Sequence, residues 1–239
     1  MKISRSALKH NSKFRISGTK PSPILIFFAY AVIIYVLSLL ISVIDGSWRA
    51  AQETIDALLN GVYMSSAEIA ALVPEPSIGS LIFQLLIAVM MLILFAGQAI
   101  YALKVCRGEK SGFKDLFEGF GFFLKIIWLH ILTYIFTFLW TLLLVIPGII
   151  ARYRYSQALY ILIDNPELSA LECIRRSKAL MNGRKGELFV LHLSFLGWIL
   201  LTIIPFVSLW VTPYTQLTYA NFYLALADEP AHSAEPTEE

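Results

Sequence analysis

Residues 24–44 read ILIFFAYAVIIYVLSLLISVI, a run without a single charge. As an α-helix it extends about 31 Å, enough to cross a hydrocarbon core ~30 Å thick. Ahead of it, Met1–Ser22 carries Lys2, Arg5, Lys9, Lys13, Arg15 and Lys20 and no acid. A cleavable signal peptide has a shorter apolar core and a small-residue cleavage site. Ile41-Ser-Val-Ile-Asp45 offers no such pattern, so the run reads as a retained membrane span.

The composition agrees. The 239 residues are 57% hydrophobic and 15% charged, with a mean hydropathy of +0.68. A soluble domain has nearer ~45–50% apolar and ~25% charged residues. A soluble globular domain, a disordered chain and a nucleic-acid binder with a basic surface are all excluded. Five further apolar stretches follow at Ser80–Leu103, Phe122–Ile146, Ile149–Ile163, Leu188–Val211 and Tyr214–Ala227, with breaks at Pro147-Gly148, Pro205 and Pro213. The stretches 149–163 and 214–227 fall short of the usual ~17–25 residues. They must tilt little, thin the bilayer, or belong to hairpins whose turns lie inside the protein. The expected fold is all-α: a polytopic membrane protein with six transmembrane helices as three hairpins, forming one membrane domain over residues 1–227.

Positive charge near the span ends sets the orientation. The segment 1–22, Lys104–Lys125 and Asp164–Glu187 hold all the Lys and Arg except Arg49, Arg152 and Arg154. Both termini are therefore expected in the cytoplasm. The long outer loop Asp45–Gly79 begins with a helix that Ser47 can cap and Gly61 stops. Its Trp48, Ala51, Ile55, Leu58 and Leu59 fall on one face. Ser65-Ser-Ala-Glu68 is a capping box, and Pro74 ends that second helix. A lid on the outer membrane surface is expected, with capture of a substrate or partner as the alternative. The acidic tail Asp228–Glu239 lacks periodicity and is expected to be disordered.

Two cytoplasmic connections read as short interface helices. In Ser111–Phe120, Phe113, Leu116, Phe117 and Phe120 share a helical face. In Asn165–Asn182, Asn165 caps, Pro166 takes the first helical position and Gly183 terminates. There Leu171, Ile174, Lys178 and Met181 form one side, and Glu172 pairs with Arg176 on the other. Basic residues beside an apolar stripe suit an anionic membrane surface, or the docking of a soluble partner.

A repeat runs through the spans. Gln98-Ala-Ile-Tyr101, Gln157-Ala-Leu-Tyr160 and Gln216-Leu-Thr-Tyr219 recur at a constant offset of 59. Each lies in the second span of a hairpin, which makes the chain three parallel units. Glutamine and tyrosine three apart project from one helical face. One reading makes the glutamines interhelical glue and the tyrosines part of the inner aromatic belt. The other has the three pairs converge on a small polar site. Arg152 and Arg154, placed at the outer start of the fourth span, are candidate contacts for an anion or lipid phosphate, with snorkelling as the plainer account. His130 and His192 read as satisfied interfacial histidines or a proton relay.

No phosphate-cradling glycine loop, G-x-S-x-G, H-E-x-x-H or intramembrane carboxylate pair is present, so no catalytic residue, metal or cofactor is expected. Cys106 and Cys173 are isolated and read as reduced thiols.

Ile146-Pro-Gly-Ile-Ile150, Tyr155, Tyr160, Asp164-Asn-Pro-Glu167, Ser169-Ala-Leu171, Arg176-Ser177, Met181 and Gly183 form a pattern. Leu193-Ser-Phe195, Gly197-Trp198, Pro213-Tyr214 and Phe222-Tyr223 extend it, with Ser4-Arg5 and Leu8-Lys9 near the start. The chain resembles the bacterial integral membrane family catalogued as domain of unknown function 975. More distantly it is similar to membrane domains attached to glycerophosphodiester phosphodiesterases, without their hydrolase domain. The resemblance implies a multi-pass protein of the bacterial plasma membrane and supplies no activity. The functional expectation is a non-enzymatic module that binds membrane lipids or a membrane-protein partner. The alternative is a small-solute transporter with a path between the hairpins.

Overall fold

The computed structural model describes residues 3–232, and all of their regular structure is helical. In chain order the helices are α1 (Arg5–Gly18), α2 (Pro23–Ile44), α3 (Ser47–Leu59), α4 (Ser66–Leu72) and α5 (Ile78–Arg107). A 3₁₀ segment (Phe113–Phe122) follows. Then come α6 (Phe123–Leu143), α7 (Val145–Tyr155), α8 (Ala158–Asp164), α9 (Ala170–Leu180), α10 (Lys185–Leu193), α11 (Leu196–Leu201) and α12 (Pro205–His232). Three stretches are long and apolar enough to cross a membrane: Pro23–Ile44, Ile78–Arg107 and Phe113–Leu143. The runs expected as the fourth and fifth spans are instead broken into α7 and α8 and into α10 and α11, of 11, 7, 9 and 6 residues. The acidic tail begins in helix, since α12 continues to His232, while 233–239 lie outside the described residues.

The chain forms two compact units, residues 29–91 and residues 1–28 with 92–239. In the first, α3 begins after Gly46, whose φ of +79° only glycine adopts without strain. Ser47 does not cap it; its N–H donates to Asp45 Oδ1 at 2.9 Å. The capping box forms as read: Ser65 N–H donates to Glu68 Oε2 at 2.7 Å, and the Glu68 N–H donates back to Ser65 Oγ. These bonds hold the Glu68 carboxyl below its ordinary range. The Trp48, Ile55, Leu58 and Leu59 face is exposed.

The second unit is built on close backbone approach. Gly97 of α5 meets the Leu116 carbonyl so tightly that an added Cβ would lie 2.0 Å from its oxygen. Gly119 lies against the Ile93 carbonyl in the same manner, at 2.9 Å. The segment is 3₁₀ rather than α, so its inward face repeats every three residues. Leu116 and Gly119 turn inward, while Phe117 and Phe120, expected to join Leu116, are exposed; Phe113, also expected on that face, is the segment's first residue and is exposed as well. Lys104 ties the segment to α5 through Asp115 at 2.9 Å and Glu118 at 2.5 Å.

Leu144, in extended conformation, joins α6 and α7 as a tight hairpin. Gly148 permits it: a Cβ there would sit 2.1 Å from Thr141 Oγ1 and 2.8 Å from Thr141 Cα. Helix α1, read from sequence only as a basic segment, packs along α12 through Leu8, Ser12 and Ile16. Asn221 donates to Ser12 Oγ at 3.0 Å, and Ser12 donates to the Leu8 carbonyl. Lys9 donates to the Ser194 carbonyl and lies 4.3 Å from the Phe195 ring centre. Burial there, with Arg5 and Lys13 nearby, holds its ammonium below the usual lysine range.

Gly97→Ala and Gly148→Ala are expected to destabilise by about 1–3 kcal/mol, the usual cost of overpacking. Gly186→Ala, with open space at its Cβ position, serves as the neutral control. Thermal midpoints of the three variants in detergent check this; equal midpoints would remove backbone contact as the organising feature.

Candidate functional site

The α7–α8 helix is interrupted at Ser156 and Gln157, although both residues keep right-handed helical angles. A hydroxyl from another helix fills the interruption. Ser177 of α9 donates to the Arg154 carbonyl at 2.9 Å and accepts the Gln157 N–H at 3.2 Å. Side-chain insertion into the backbone ladder is a standard cause of a helix kink. Ser177 is fully buried, which makes both bonds strong and their loss costly.

For Ser177 to reach this break, α9 must stand against α6, α7 and α8, and it does. Its buried side is Ala170, Cys173, Ile174 and Ser177, with Met181 just beyond. The expected face of Leu171, Ile174, Lys178 and Met181 is rotated by about one position, and Leu171 is exposed. Asn165 and Pro166 do not start the helix. Ser169 caps it, accepting from Glu172 N–H at 3.2 Å, while Asn165 closes α8. The Glu172–Arg176 pair forms at 3.3 Å.

The kink opens a cavity of about 660 Å³. Phe95, Ala99, Leu129, Ile149, Leu159 and Leu188 supply apolar walls, and Gln157, Tyr160, Gln216, Tyr219, His130, His192 and Arg152 supply polar ones. Two of the three glutamine–tyrosine pairs therefore meet at one cavity. Gln157 is 3% exposed; its Nε2 donates to Ser156 Oγ at 2.9 Å and its Oε1 has no partner. Each histidine places Nδ1 2.9 Å from the carbonyl four residues back, Ile126 or Leu188. A carbonyl only accepts, so Nδ1 carries the hydrogen, and in the neutral ring Nε2 is then an acceptor. His192 stacks on Tyr219 with ring centres 4.8 Å apart. No carboxylate lines the cavity. Such a lining can accommodate a polar, uncharged or anionic group with apolar surface behind it.

The third pair lies elsewhere. Gln98 is buried with Nε2 unpartnered, and Tyr101 is fully buried, its hydroxyl donating to the Pro21 carbonyl at 3.3 Å. Below the cavity, Asp164 Oδ2 accepts from Arg107 and from the Tyr223 hydroxyl, each at 2.7 Å, joining α5, α8 and α12. Tyr223 also stacks on Tyr160 at 5.2 Å. Periodicity could not nominate this carboxylate, although the 59-residue step from Asp164 to Tyr223 was present.

Arg152 and Arg154 part company, as residues two apart on a helix must. Arg152 lines the deep cavity. Arg154 enters a separate shallow cavity of about 350 Å³ with Arg175, Lys178, Asn182 and Lys185. Its guanidinium carbon lies 5.9 Å from the Trp140 ring centre. The expectation that placed Arg154 at the outer surface and Lys178 and Lys185 at the inner one is thus corrected: they share one level. The short α9, packed against α6, α7 and α8, brings them together. Both cysteines are buried free thiols, and no metal-ligating cluster occurs among the described residues.

Residues 141–229 match the model of a family described as protein of unknown function (DUF975). The match begins at the α6–α7 turn and takes in Ser177, Asp164 and two of the three pairs. No curated protein and no solved structure matches the chain.

Ser177→Ala is expected to cost about 1–3 kcal/mol, because it leaves a buried N–H and a buried carbonyl without their bridge. Hydrogen exchange at the Gln157 amide should accelerate with it. Unchanged stability and exchange would mean that the kink closes on itself without α9.

Proposed function

We propose that this protein is a non-enzymatic lipid-binding module of the bacterial plasma membrane, and that the cavity beside Gln157 is its ligand site. The observation that carries this is the buried, unpartnered Gln157 Oε1 on a cavity wall that also holds Arg152 and the acceptor nitrogens of two histidines. A buried amide oxygen without a partner is costly, and a ligand hydroxyl or amine relieves it. Apolar walls at Phe95, Ile149 and Leu188 accept a hydrocarbon tail. A neutral or anionic head with a hydroxyl or amine donor fits the remainder, since no acid faces it.

The same reading takes the chain as three repeated units, each an amphipathic segment followed by two helices. What supports it is where the segments dock. Helix α1 packs on α12, the 3₁₀ segment on α5 and α9 on α8, so each lies against the second helix of the preceding unit and the ring closes. Ser12-Lys13, Ile16 and Gly18 of the first segment match Ser177-Lys178, Met181 and Gly183 of the third in spacing. Ser12, Ser177, Ile16 and Met181 are all buried. The reading takes both termini as cytoplasmic, supported by the Lys and Arg gathered in residues 1–22, 104–125 and 164–187. A membrane-protein partner is compatible with the exposed outer helices α3 and α4.

The test is native purification with mass spectrometry of bound lipids. One lipid class is expected at near-stoichiometric amount. Gln157→Leu should lower its occupancy about tenfold, the equivalent of one good hydrogen bond, with little change in thermal midpoint. Gln216→Leu should act similarly, and Gln98→Leu, away from the cavity, should leave occupancy unchanged. Lipid loss that tracks stability in every variant, or specific solute flux in liposomes, would overturn the reading.

A further inference from the structure

Two helical hairpins in this protein end in apolar tips with cations set part-way down their length. From Ile126 to Ala151 the α6–α7 hairpin carries no charge except whatever His130 holds, and from Leu193 to Ala227 the α11–α12 hairpin carries none. Leu142, Leu143, Leu144, Val145 and Ile146 at the first tip are 65–73% exposed. At the second, Ile203 is 83% and Phe206 82% exposed. A turn that emerged among headgroups and water would be expected to carry polar residues there. These turns carry leucine, isoleucine, valine and phenylalanine.

The depth of the cations can be counted in both hairpins. Arg154 lies ten residues past the Leu144 turn, about 15 Å along α7. Lys178 and Lys185 share its shallow cavity, with no carboxylate in the lining. In the second hairpin Lys13 lies 5.6 Å from the Tyr214 ring centre, nine residues or about 14 Å past Pro205. Lys9 meets Phe195 at a similar distance below the tip on the other arm. Two separate hairpins thus place cations ~14–15 Å from their tips, half of a ~30 Å hydrocarbon core. If both hairpins crossed completely, Arg154, Lys178, Lys185, Lys9 and Lys13 would gather near the bilayer midplane, several of them on the protein surface. Such positions are expensive and rare.

The geometry points to re-entrant hairpins: α6–α7 and α11–α12 enter the cytoplasmic leaflet and turn back inside it, and the lysine–arginine collar rests on its anionic headgroups. Helix α5 fits this arrangement. Its 30 residues run about 45 Å, some 15 Å more than a crossing requires. The surplus lies in its last turns, where residues 96–103 are buried on every side by protein. The outward faces of α1 and α9 are mostly polar, with Arg5, His10 and Asn11 on one and Arg175, Arg176 and Lys178 on the other, and each carries a single exposed large apolar residue, Phe14 or Leu171. By contrast, α6 is apolar and exposed down its outer side from Leu142 to Leu124. The first hairpin therefore lies obliquely, α6 against lipid and α9 toward the cytoplasm. Orientation is unchanged, and Arg49 becomes the lone cation among Lys and Arg outside, a sharper asymmetry than full crossings allow.

The test uses nitroxide labels at Ile146→Cys and Ile203→Cys in the full chain, reconstituted in phosphatidylethanolamine–phosphatidylglycerol vesicles. Both positions are exposed and the native cysteines are buried, so the variants should keep the parent thermal midpoint. Collision with oxygen should be maximal, and collision with a water-soluble nickel chelate minimal, which places both tips near the midplane. Ala67→Cys in the outer loop is the water-exposed reference. Nickel collision at either tip comparable to that at Ala67 would put the tip at the outer surface and overturn the proposal. A tip protected at one hairpin and accessible at the other would overturn it for the accessible one.

Discussion

One hydroxyl group holds much of this structure in register. Ser177 takes the place of a backbone partner at the α7–α8 kink, and a buried amide and carbonyl have no other means of satisfaction there. Because the bridge comes from α9, that helix must pack directly against α6, α7 and α8. So packed, α9 brings Lys178 to the same shallow cavity as Arg154 and encloses one flank of the kink. The kink in turn directs Gln157 to the cavity, its side-chain oxygen unsatisfied. The neighbours of Arg154, the shape of the cavity and the unpaired state of a buried amide oxygen all follow from one serine.

What could be read from residues alone divides along physical lines. The run 24–44 is long, apolar and uninterrupted, and its helix is found almost where expected, at Pro23–Ile44. The capping box at Ser65 and Glu68 and the glycine stops at Gly61 and Gly183 depend on local geometry only, and they are found as read. The trouble begins where apolar character has two causes. Residues 96–103 are apolar because protein surrounds them, and 81–86 are apolar on an exposed surface. Hydropathy weighs the two alike, so buried core and lipid-facing helix merge into one run.

The candidate site was legible in its polar repeat and illegible in its frame. The offset of 59 picks out Gln157, Tyr160, Gln216 and Tyr219, which line one cavity, but nothing in it separates them from Gln98 and Tyr101, which do not line it. Ser177 and Ser12 escaped notice because apolar periodicity ignores small polar residues, although these are the residues that let helices approach closely. At Asn165-Pro166 two start signals preceded a third, at Ser169, and only tertiary packing chose among them. The 3₁₀ segment escaped for a simpler reason. A period of 3.6 applied to a period of three assigns Phe117 and Phe120 to the wrong side.

The packing of α1 on α12 has a consequence in time. Ser12 is made well before its partners Thr218 and Asn221, which follow after about 200 more residues. At the ~5–20 residues per second typical of synthesis, the first helix waits roughly 10–40 s for its binding surface. During that interval Leu8 and Ile16 have no α12 to cover them, and the Asn221 amide that will meet Ser12 does not yet exist. The ring of helices therefore closes only once α12 has emerged, and an arrested chain lacking α12 would present α1 as an unsatisfied amphipathic arm. Quality control that recognises such arms would distinguish a finished molecule from an unfinished one by a single helix.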